Sequence, residues 1–513
     1  MRGVLALEEI NVVRKVPRQG HIRVGVAYPS LYQVAIDSLS FQMLYHYLNS
    51  YDEVYAERVF FSRMSSAPIS TAETATPLKR LDALVFTVHY ELDFVNIVRV
   101  LLEAGIEVFA DKREKPLIII GGPPVIANPL PLSIFADVLV AGEIEAVMPE
   151  LVERLIEEGA SKRVVLDSLS PEKGFFVPAR GVADVKLSIA QKLEPSFHPV
   201  AQVQPLRAPF KWRLRTAIEA LRGCIHSCRF CLEGRIFSVL RERPLKDVLE
   251  IAREGSTANR SRLVKLVGLS FFDHSQADAI LEKLLEEGYQ FSVPSLRADT
   301  LNARRLELLR KGGQKTLVFA PETGSPNLGL KIGKFVKLER AIELASEARK
   351  LGFTGVKLYF MVGLPSESDE DLEKTAEYIE KLSGESGFRG VRQLKVTVSP
   401  FVPKPHTAYE RYPFIGVKEA KRRINYLKKK LAGLADVREY DPKLAWIQTI
   451  ISRGGPEIGH VLLGWAMRGG GLGAWRAAVR DAGLNPEKYT GFLEEAPWSF
   501  IKLAPKTRRF AGT

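Results

Sequence analysis

The sequence of 513 residues predicts an α/β protein. We expect an N-terminal doubly wound parallel sheet, a central partial (β/α)6 barrel and a small, mostly helical C-terminal domain. Two observations predict this: short apolar segments alternate with helix-period patterns in the first third of the chain, and strand candidates recur, each followed by a loop or helix, in the middle. The expected boundaries are residues 1–175, a proline-containing linker at 176–212, the barrel at 213–415 and the C-terminal domain at 416–513.

Composition limits the class of protein and its compartment. Apolar residues make up 46% of the chain, and no apolar run reaches the roughly 18 residues that span a bilayer. The N-terminus acquires charge at Glu8 and Glu9 and does not read as a signal peptide, so we expect a cytoplasmic protein with no membrane partner. The formal charge of +13 favours a polyanionic partner such as nucleic acid, but an ordinary basic surface explains it as well.

The N-terminal part is predicted from its alternating pattern. Strands are expected at 22–29, 54–61, 81–88, 117–120 and 137–140, with helices near 39–48, 93–103 and 146–157. Ligands of doubly wound sheets bind beyond the carboxyl ends of the strands. In this chain those ends carry Tyr28, His89, Gly121, Gly122 and Gly142.

The chain has three cysteines, Cys224, Cys228 and Cys231, and all lie in one nine-residue stretch, 223–231. An odd number at the spacing C-x3-C-x2-C favours a metal site over a disulfide framework. A closed structural zinc site needs four protein ligands, and His226 is the candidate for the fourth. Structural zinc and inert buried cysteines therefore stay open as less favoured alternatives.

With Phe230 just before the third cysteine, this loop resembles the cluster motif of the radical SAM superfamily. The resemblance implies a [4Fe-4S] cluster held by the three cysteines, with S-adenosylmethionine on the fourth iron. It further implies reductive cleavage of S-adenosylmethionine to a 5′-deoxyadenosyl radical, which abstracts hydrogen from an unknown substrate, and a partner that donates electrons. Because no cysteine remains for a second cluster, methylthiolation is disfavoured.

The barrel strands are expected at 216–222, 264–272, 291–296, 316–321, 355–362 and 394–400. Chemistry in such barrels lies at the carboxyl ends of the strands. The resemblance assigns cofactor contacts there to Phe230, Ser270, Ser295, Arg297, Glu322, Gly363 and Leu364. Ser270 stands where the family usually has a glutamate, and Glu322 is expected to bind the ribose. The structural alternatives are a helix N-terminal acid for Glu322, an ion pair for Arg297 and a tight turn for Gly363.

The N-terminal part resembles the cobalamin-binding domain of many radical SAM enzymes through Gly121, Gly122 and Gly142. The family's Asp-x-His-x-x-Gly motif is absent, so the expectation is weak or no cobalamin binding, with a cobalamin-dependent methyltransferase as the alternative. In the C-terminal part, apolar residues at helical spacing over 417–431 alternate with lysines and arginines. This pattern predicts a core-packed helix, with a nucleic-acid surface or RNA-modifying role as a further alternative.

Overall fold

The computed structural model describes residues 8–61, 69–159, 161–294, 296–334 and 337–507. Its strands are β1 (Glu9–Ile10), β2 (Ile22–Tyr28), β3 (Val54–Phe60), β4 (Ala83–Thr87), β5 (Leu117–Gly121), β6 (Val138–Val140), β7 (Phe175–Phe176), β8 (Val185–Lys186), β9 (Gln204–Pro205), β10 (Thr216–Glu219), β11 (Leu221–Arg222), β12 (Arg241–Glu242), β13 (Leu263–Val267), β14 (Gln290–Ser292), β15 (Thr316–Glu322), β16 (Gly355–Val362), β17 (Leu394–Pro400), β18 (Asp436–Glu439) and β19 (Ile501–Lys502).

The α-helices are α1 (Tyr32–Ala35), α2 (Leu39–Asn49), α3 (Phe94–Glu103), α4 (Pro123–Ala127), α5 (Ile144–Glu157), α6 (Lys162–Ser168), α7 (Glu233–Ile236), α8 (Leu245–Ala258), α9 (Ala277–Glu286), α10 (Ala303–Lys311), α11 (Pro326–Lys331), α12 (Leu338–Lys350), α13 (Asp369–Ser386), α14 (Gly390–Gln393), α15 (Val417–Lys430), α16 (Pro442–Arg453), α17 (Glu457–Met467), α18 (Gly471–Asp481) and α19 (Glu487–Thr490). No helix in the described ranges is both long and apolar enough to cross a membrane.

The chain divides into two compact units. The first unit comprises Met1–Arg213, Ile450–Tyr489 and Glu495–Ala504, and the second comprises Leu214–Thr449, Thr490–Glu494 and Pro505–Thr513. The residues after 416 therefore contribute to both units, and the segment 176–212 lies within the first. The boundaries expected from the sequence, with a separate C-terminal domain, stay a prediction.

The first unit is built on a six-stranded sheet in the order β3-β2-β4-β5-β6-β7. All neighbours are parallel except β6 and β7. The strand β5 is a continuous apolar run whose first four residues are buried, as expected for a parallel strand covered on both faces. Helices α2 and α5 pack their apolar residues onto the core that contains β2 and β4. The predicted doubly wound α/β unit is therefore confirmed.

The second unit carries its strands in two parallel sheets. One has the order β10-β13-β14 and the other β15-β16-β17-β18. The six barrel strands expected from the sequence are all present, separated by helices in the expected places. Their closure into a barrel stays a prediction. The edge strand β18 was missed because its sequence, Asp-Val-Arg-Glu, is polar and its residues are at best half-buried.

Helix α15 begins the stretch that the sequence assigned to the C-terminal domain. Its buried residues include Ala420, Ile424 and Leu427, which confirms the predicted apolar face. Several of its basic side chains are paired with acids of the second unit: Arg422 with Asp369, Lys428 with Glu439 and Lys430 with Glu373. These pairs neutralise part of the basic surface that suggested a nucleic-acid partner.

Candidate functional site

The cysteine loop begins directly after β11, at a strand end of the second unit. The short strand β11 pairs antiparallel with β12, and this pairing joins the two ends of the segment 223–240 at the base of the loop. Gly223 has φ +105°, and a Cβ there would lie 2.1 Å from the carbonyl oxygen of Val239. The next N–H, that of Cys224, donates to the Phe237 carbonyl at 3.0 Å. Only glycine fits this approach, so the backbone leading to Cys224 is fixed against residues 237–239.

The three thiols are half-buried and none is in a disulfide. The N–H of Gly234 donates to Cys231 Sγ at 3.4 Å, and the N–H of Cys231 donates to the Cys228 carbonyl at 3.2 Å. Burial raises the pKa of Cys224 and raises the pKa of Cys231 to about 11. Both thiols are therefore protonated near neutral pH until a metal displaces the proton.

The donor chemistry of this loop fits an iron–sulfur cluster. Three thiols on one loop, with an N–H directed at a sulfur, are what such clusters use for ligation and tuning. As the side chains lie in this structure, no three His, Cys, Asp or Glu groups of the described ranges converge as metal ligands, these thiols included, so a cluster would have to draw the three sulfurs together. His226, the candidate fourth zinc ligand, instead lies with Nε2 2.8 Å from Asp273 Oδ2. This hydrogen bond engages Nε2, so only Nδ1 of His226 remains as a ligating atom.

Phe230 anchors the far side of the loop. Its ring packs against a buried apolar cluster of Leu328, Ile332, Leu364, Phe401 and Tyr409. The preceding N–H, that of Arg229, donates to the Ile332 carbonyl at 2.9 Å. The two predicted residues Phe230 and Leu364 are thus brought together as packing partners, and Leu364 is only 3% exposed.

Glu322 ends β15 in an unusual backbone conformation. Its φ is +71°, which costs a non-glycine residue of the order of 1 kcal/mol or more. Its carboxylate accepts a hydrogen bond from Lys334 Nζ at 3.0 Å, and both side chains are largely buried. The N-cap of the following helix α11 is Ser325, not Glu322. The structural alternative of a helix N-terminal acid is therefore replaced by a buried ion pair.

A small cavity lies beside this pair. It is lined by Leu296, Arg297, Ala298, Phe319, Ala320, Pro321 and Lys334. Arg297 makes two hydrogen bonds to the Asp299 carboxylate, at 3.0 and 2.7 Å, which matches the ion-pair alternative for this residue. The cavity thus brings together two cations, Arg297 from the segment after β14 and Lys334 from the segment after α11.

The other predicted contacts of the second unit have mixed outcomes. Ser270 is 2% exposed, and its hydroxyl lies beside the Asp273 carboxylate, outside good hydrogen-bond geometry. Ser295 lies outside the described residues. Gly363 has φ +82°, a Cβ there would lie 2.6 Å from the Ile415 side chain, and its N–H donates to the Glu367 carboxylate. These contacts match the tight-turn alternative for Gly363, and its contact with a cofactor stays a prediction.

The strand-end glycines of the first unit differ among themselves. Gly122 has φ +125°, and a Cβ there would lie 1.9 Å from the Val88 carbonyl oxygen. A Cβ on Gly142 would lie 2.3 Å from the Val147 side chain. At Gly121 a Cβ would make only ordinary contacts, the nearest at 3.5 Å. Protein packing therefore requires glycine at 122 and 142. At 121 packing does not require glycine, so contact with an external ligand remains a reason for the glycine there.

His89 also lies at this edge. Its Nε2 is 2.9 Å from Ser40 Oγ, and its ring stacks on Tyr28 with centroids 5.7 Å apart. The histidine is therefore engaged with its own unit.

Sequence reasoning missed Lys334, Asp273 and Asp299. Lys334 lies 12 residues beyond Glu322, and Asp273 lies 47 residues beyond His226, so no local pattern signals either pairing. Asp299 is two residues from Arg297, a spacing that a search for local ion pairs would have found.

Comparisons with known proteins find similar proteins for both the N-terminal and the central part of the chain. Residues 40–178 match the family model "Radical SAM proteins, N-terminal", and residues 218–379 match "Radical SAM superfamily". An uncharacterised protein of Methanocaldococcus jannaschii is 31% identical over 86% of this chain and 90% of its own length. An uncharacterised methyltransferase of Pyrococcus horikoshii is 26% identical over 53% of this chain and 59% of its own length.

Two solved structures share the fold. The methyltransferase TsrM of Kitasatospora setae, solved with cobalamin and a [4Fe-4S] cluster, has a TM-score of 0.57 at 16% identity, covering 76% of this chain and 77% of that chain. The cobalamin-dependent radical enzyme OxsB, solved with aqua-cobalamin and S-adenosylmethionine, has a TM-score of 0.51 at 17% identity, covering 80% of this chain and 56% of that chain.

Proposed function

Because this chain belongs to the radical SAM superfamily, we propose that it abstracts hydrogen from a substrate carbon at the strand ends of its second unit. Cys224, Cys228 and Cys231 would hold the [4Fe-4S] cluster, and S-adenosylmethionine would bind beside it. When bound, the cluster supplies the electron that cleaves S-adenosylmethionine to methionine and a 5′-deoxyadenosyl radical. The observation that carries the proposal is the loop of three free thiols, fixed at a strand end by the pairing of β11 with β12.

The residues around the cavity have roles in binding and orientation. S-adenosylmethionine carries a carboxylate and ribose hydroxyls. The ammonium of Lys334 and the guanidinium of Arg297 suit the carboxylate, and the Glu322 carboxylate suits the hydroxyls. The Glu322–Lys334 ion pair, 3.0 Å long, holds both side chains in place in the absence of a ligand. The buried hydroxyl of Ser270, beside the Asp273 carboxylate, suits the methionine amine.

A second candidate function is cobalamin-dependent methyl transfer. It is favoured by the likeness to TsrM and OxsB, which covers three quarters or more of this chain. Bound cobalamin would supply a methyl group. Against it, the packing of Gly122 and Gly142 explains two of the glycines that suggested a corrin site. Gly121 is the residue of this chain that still supports one.

A cytoplasmic location, an electron-donating partner and an unidentified substrate complete the proposal. Free thiols and a reduced cluster both require a reducing compartment. A nucleic-acid substrate would have to use the basic residues of α15 that lack an acidic partner.

The test is expression with cobalamin supplied, anaerobic reconstitution with iron and sulfide, and gel filtration. Hydrogen abstraction without cobalamin predicts an iron–sulfur absorption band and no corrin band in the protein peak. A stoichiometric corrin band would make the methyltransferase the leading function. Lack of iron uptake, whether or not cobalamin is supplied, would contradict both candidates.

A further inference from the structure

The segment 505–507 lies against the base of the cysteine loop within the second unit. Thr507 forms a parallel β-bridge with Val239. Val239 is buried, and its carbonyl oxygen is the atom that closes on Gly223, the residue before Cys224. The tail, the segment at Val239 and the start of the cysteine loop therefore form three successive layers.

Lys506 reaches the middle of the same loop. Its ammonium donates a hydrogen bond to the carbonyl oxygen of His226, which lies between Cys224 and Cys228. The imidazole of His226 is held by the Asp273 carboxylate at 2.8 Å. One residue of the loop is thus held through its backbone by the tail and through its side chain by the strand-end region.

The ammonium of Lys506 contacts a carbonyl oxygen instead of an acid of the described residues. Lys506 is half-buried, and within the described ranges no carboxylate lies in ion-pair range of its ammonium. A hydrogen bond to a carbonyl leaves the full positive charge in place. A positive charge near a redox centre lowers the energy of the state that carries one more electron, and partial burial strengthens the effect.

We propose that Lys506 is a positioning residue that makes the proposed cluster easier to reduce. It does so by holding the His226 carbonyl and by placing a positive charge at the cysteine loop. The inference rests on the proposed function, because it requires a cluster on Cys224, Cys228 and Cys231. The step concerned is the transfer of one electron from an external low-potential donor, which takes the cluster from its 2+ to its 1+ state with no proton transferred.

The experiment compares Lys506→Met with Lys506→Arg, which keeps the charge. Lys502→Met is the matched control, because the Lys502 ammonium contacts Ser499 and Asp184 instead of the loop. Each protein is reconstituted anaerobically and assayed for iron. The reduction equilibrium is then measured by a dithionite titration with mediators, followed by electron paramagnetic resonance.

We expect all four proteins, including the wild type, to hold about four irons. In Lys506→Met the reduction equilibrium should shift about tenfold toward the oxidised state, which is about 59 mV for a one-electron couple. Lys506→Arg and Lys502→Met should stay within about threefold of the wild type.

Equal midpoints in wild type and Lys506→Met would overturn the inference. So would loss of iron from Lys506→Met with an unchanged midpoint in the remaining cluster, because Lys506 would then only pin the loop. Failure of the proposed function is a different result, since the wild-type protein itself would then take up no iron.

Discussion

The carboxyl ends of the parallel strands carry chemically different groups in the two units. In the first unit this edge is closed by protein: Val88 and Val147 fill the space at Gly122 and Gly142, and His89 is bonded to Ser40. In the second unit the edge carries free thiols, the Glu322–Lys334 ion pair and a cavity at Arg297. One kind of sheet thus supports two kinds of edge, and among the described residues that of the second unit carries charged side chains beside a cavity.

The largest expected effect is loss of the cluster on replacing one cysteine of the second unit. Cys228→Ala should reduce the iron content of reconstituted protein from about four per chain to a small fraction, because each thiolate ligates one iron. Iron and sulfide analysis after gel filtration provides the measurement. A wild-type protein that takes up no iron and holds about one zinc ion per chain would instead support the structural zinc site.

The next effect concerns the charged pair at the same edge. Glu322→Gln should weaken binding of S-adenosylmethionine about tenfold while leaving the iron content intact, because a charge-assisted hydrogen bond contributes about 1.5–3 kcal/mol. The matched control is Glu343→Gln, an exposed acid paired with Arg340. Equilibrium binding to the reconstituted, oxidised protein measures both variants. Equal affinity for Glu322→Gln and the control would leave Glu322 with a purely structural role.

In the first unit the glycines provide the sharpest contrast. Gly122→Ala should destabilise the protein by about 2–4 kcal/mol, because its backbone conformation and its contact with Val88 both exclude a side chain. Gly121→Ala should change stability by less than about 1 kcal/mol, because the added Cβ meets only ordinary contacts. Denaturant unfolding followed by circular dichroism measures both. Similar losses at the two positions would show that the edge is not packed as described.

The smallest effect is a pH dependence in the first unit. Burial, helped by the nearby Arg58, lowers the pKa of His46 to about 4 from its ordinary value of about 6.5. The folded state therefore binds fewer protons than the unfolded state between these values, so His46 contributes stability above pH 6.5 that is lost as the pH falls toward 4.

Between pH 7 and pH 5 the wild type should lose about 1 kcal/mol of unfolding free energy through His46, a value reduced by solvent screening because the side chain is partly exposed. His46→Gln should remove this loss. Urea unfolding at the two pH values measures it for the variant and the wild type. An identical pH dependence in both would show that the imidazole is not kept neutral by burial.

Much of this organisation could be predicted from the sequence, because it rests on local patterns. The apolar run of β5 and the cysteine spacing each signal their structure within a few residues. What the sequence could not supply are pairings across distance, such as Lys334 with Glu322, and backbone conformations such as the positive φ of Glu322. The resemblance did suggest Gly121 and Gly122 together. Only the packing of Val88 separates a glycine that the protein requires from one that it does not.

The most direct test of the account is the product of a single reaction. Wild-type protein reconstituted with about four irons is mixed anaerobically with S-adenosylmethionine and dithionite, and the products are separated by liquid chromatography and mass spectrometry. The account predicts methionine and 5′-deoxyadenosine in equal amounts, formed only with the reductant and not by Cys228→Ala. Fully loaded protein that binds S-adenosylmethionine but forms no 5′-deoxyadenosine, with or without the reductant, would contradict it.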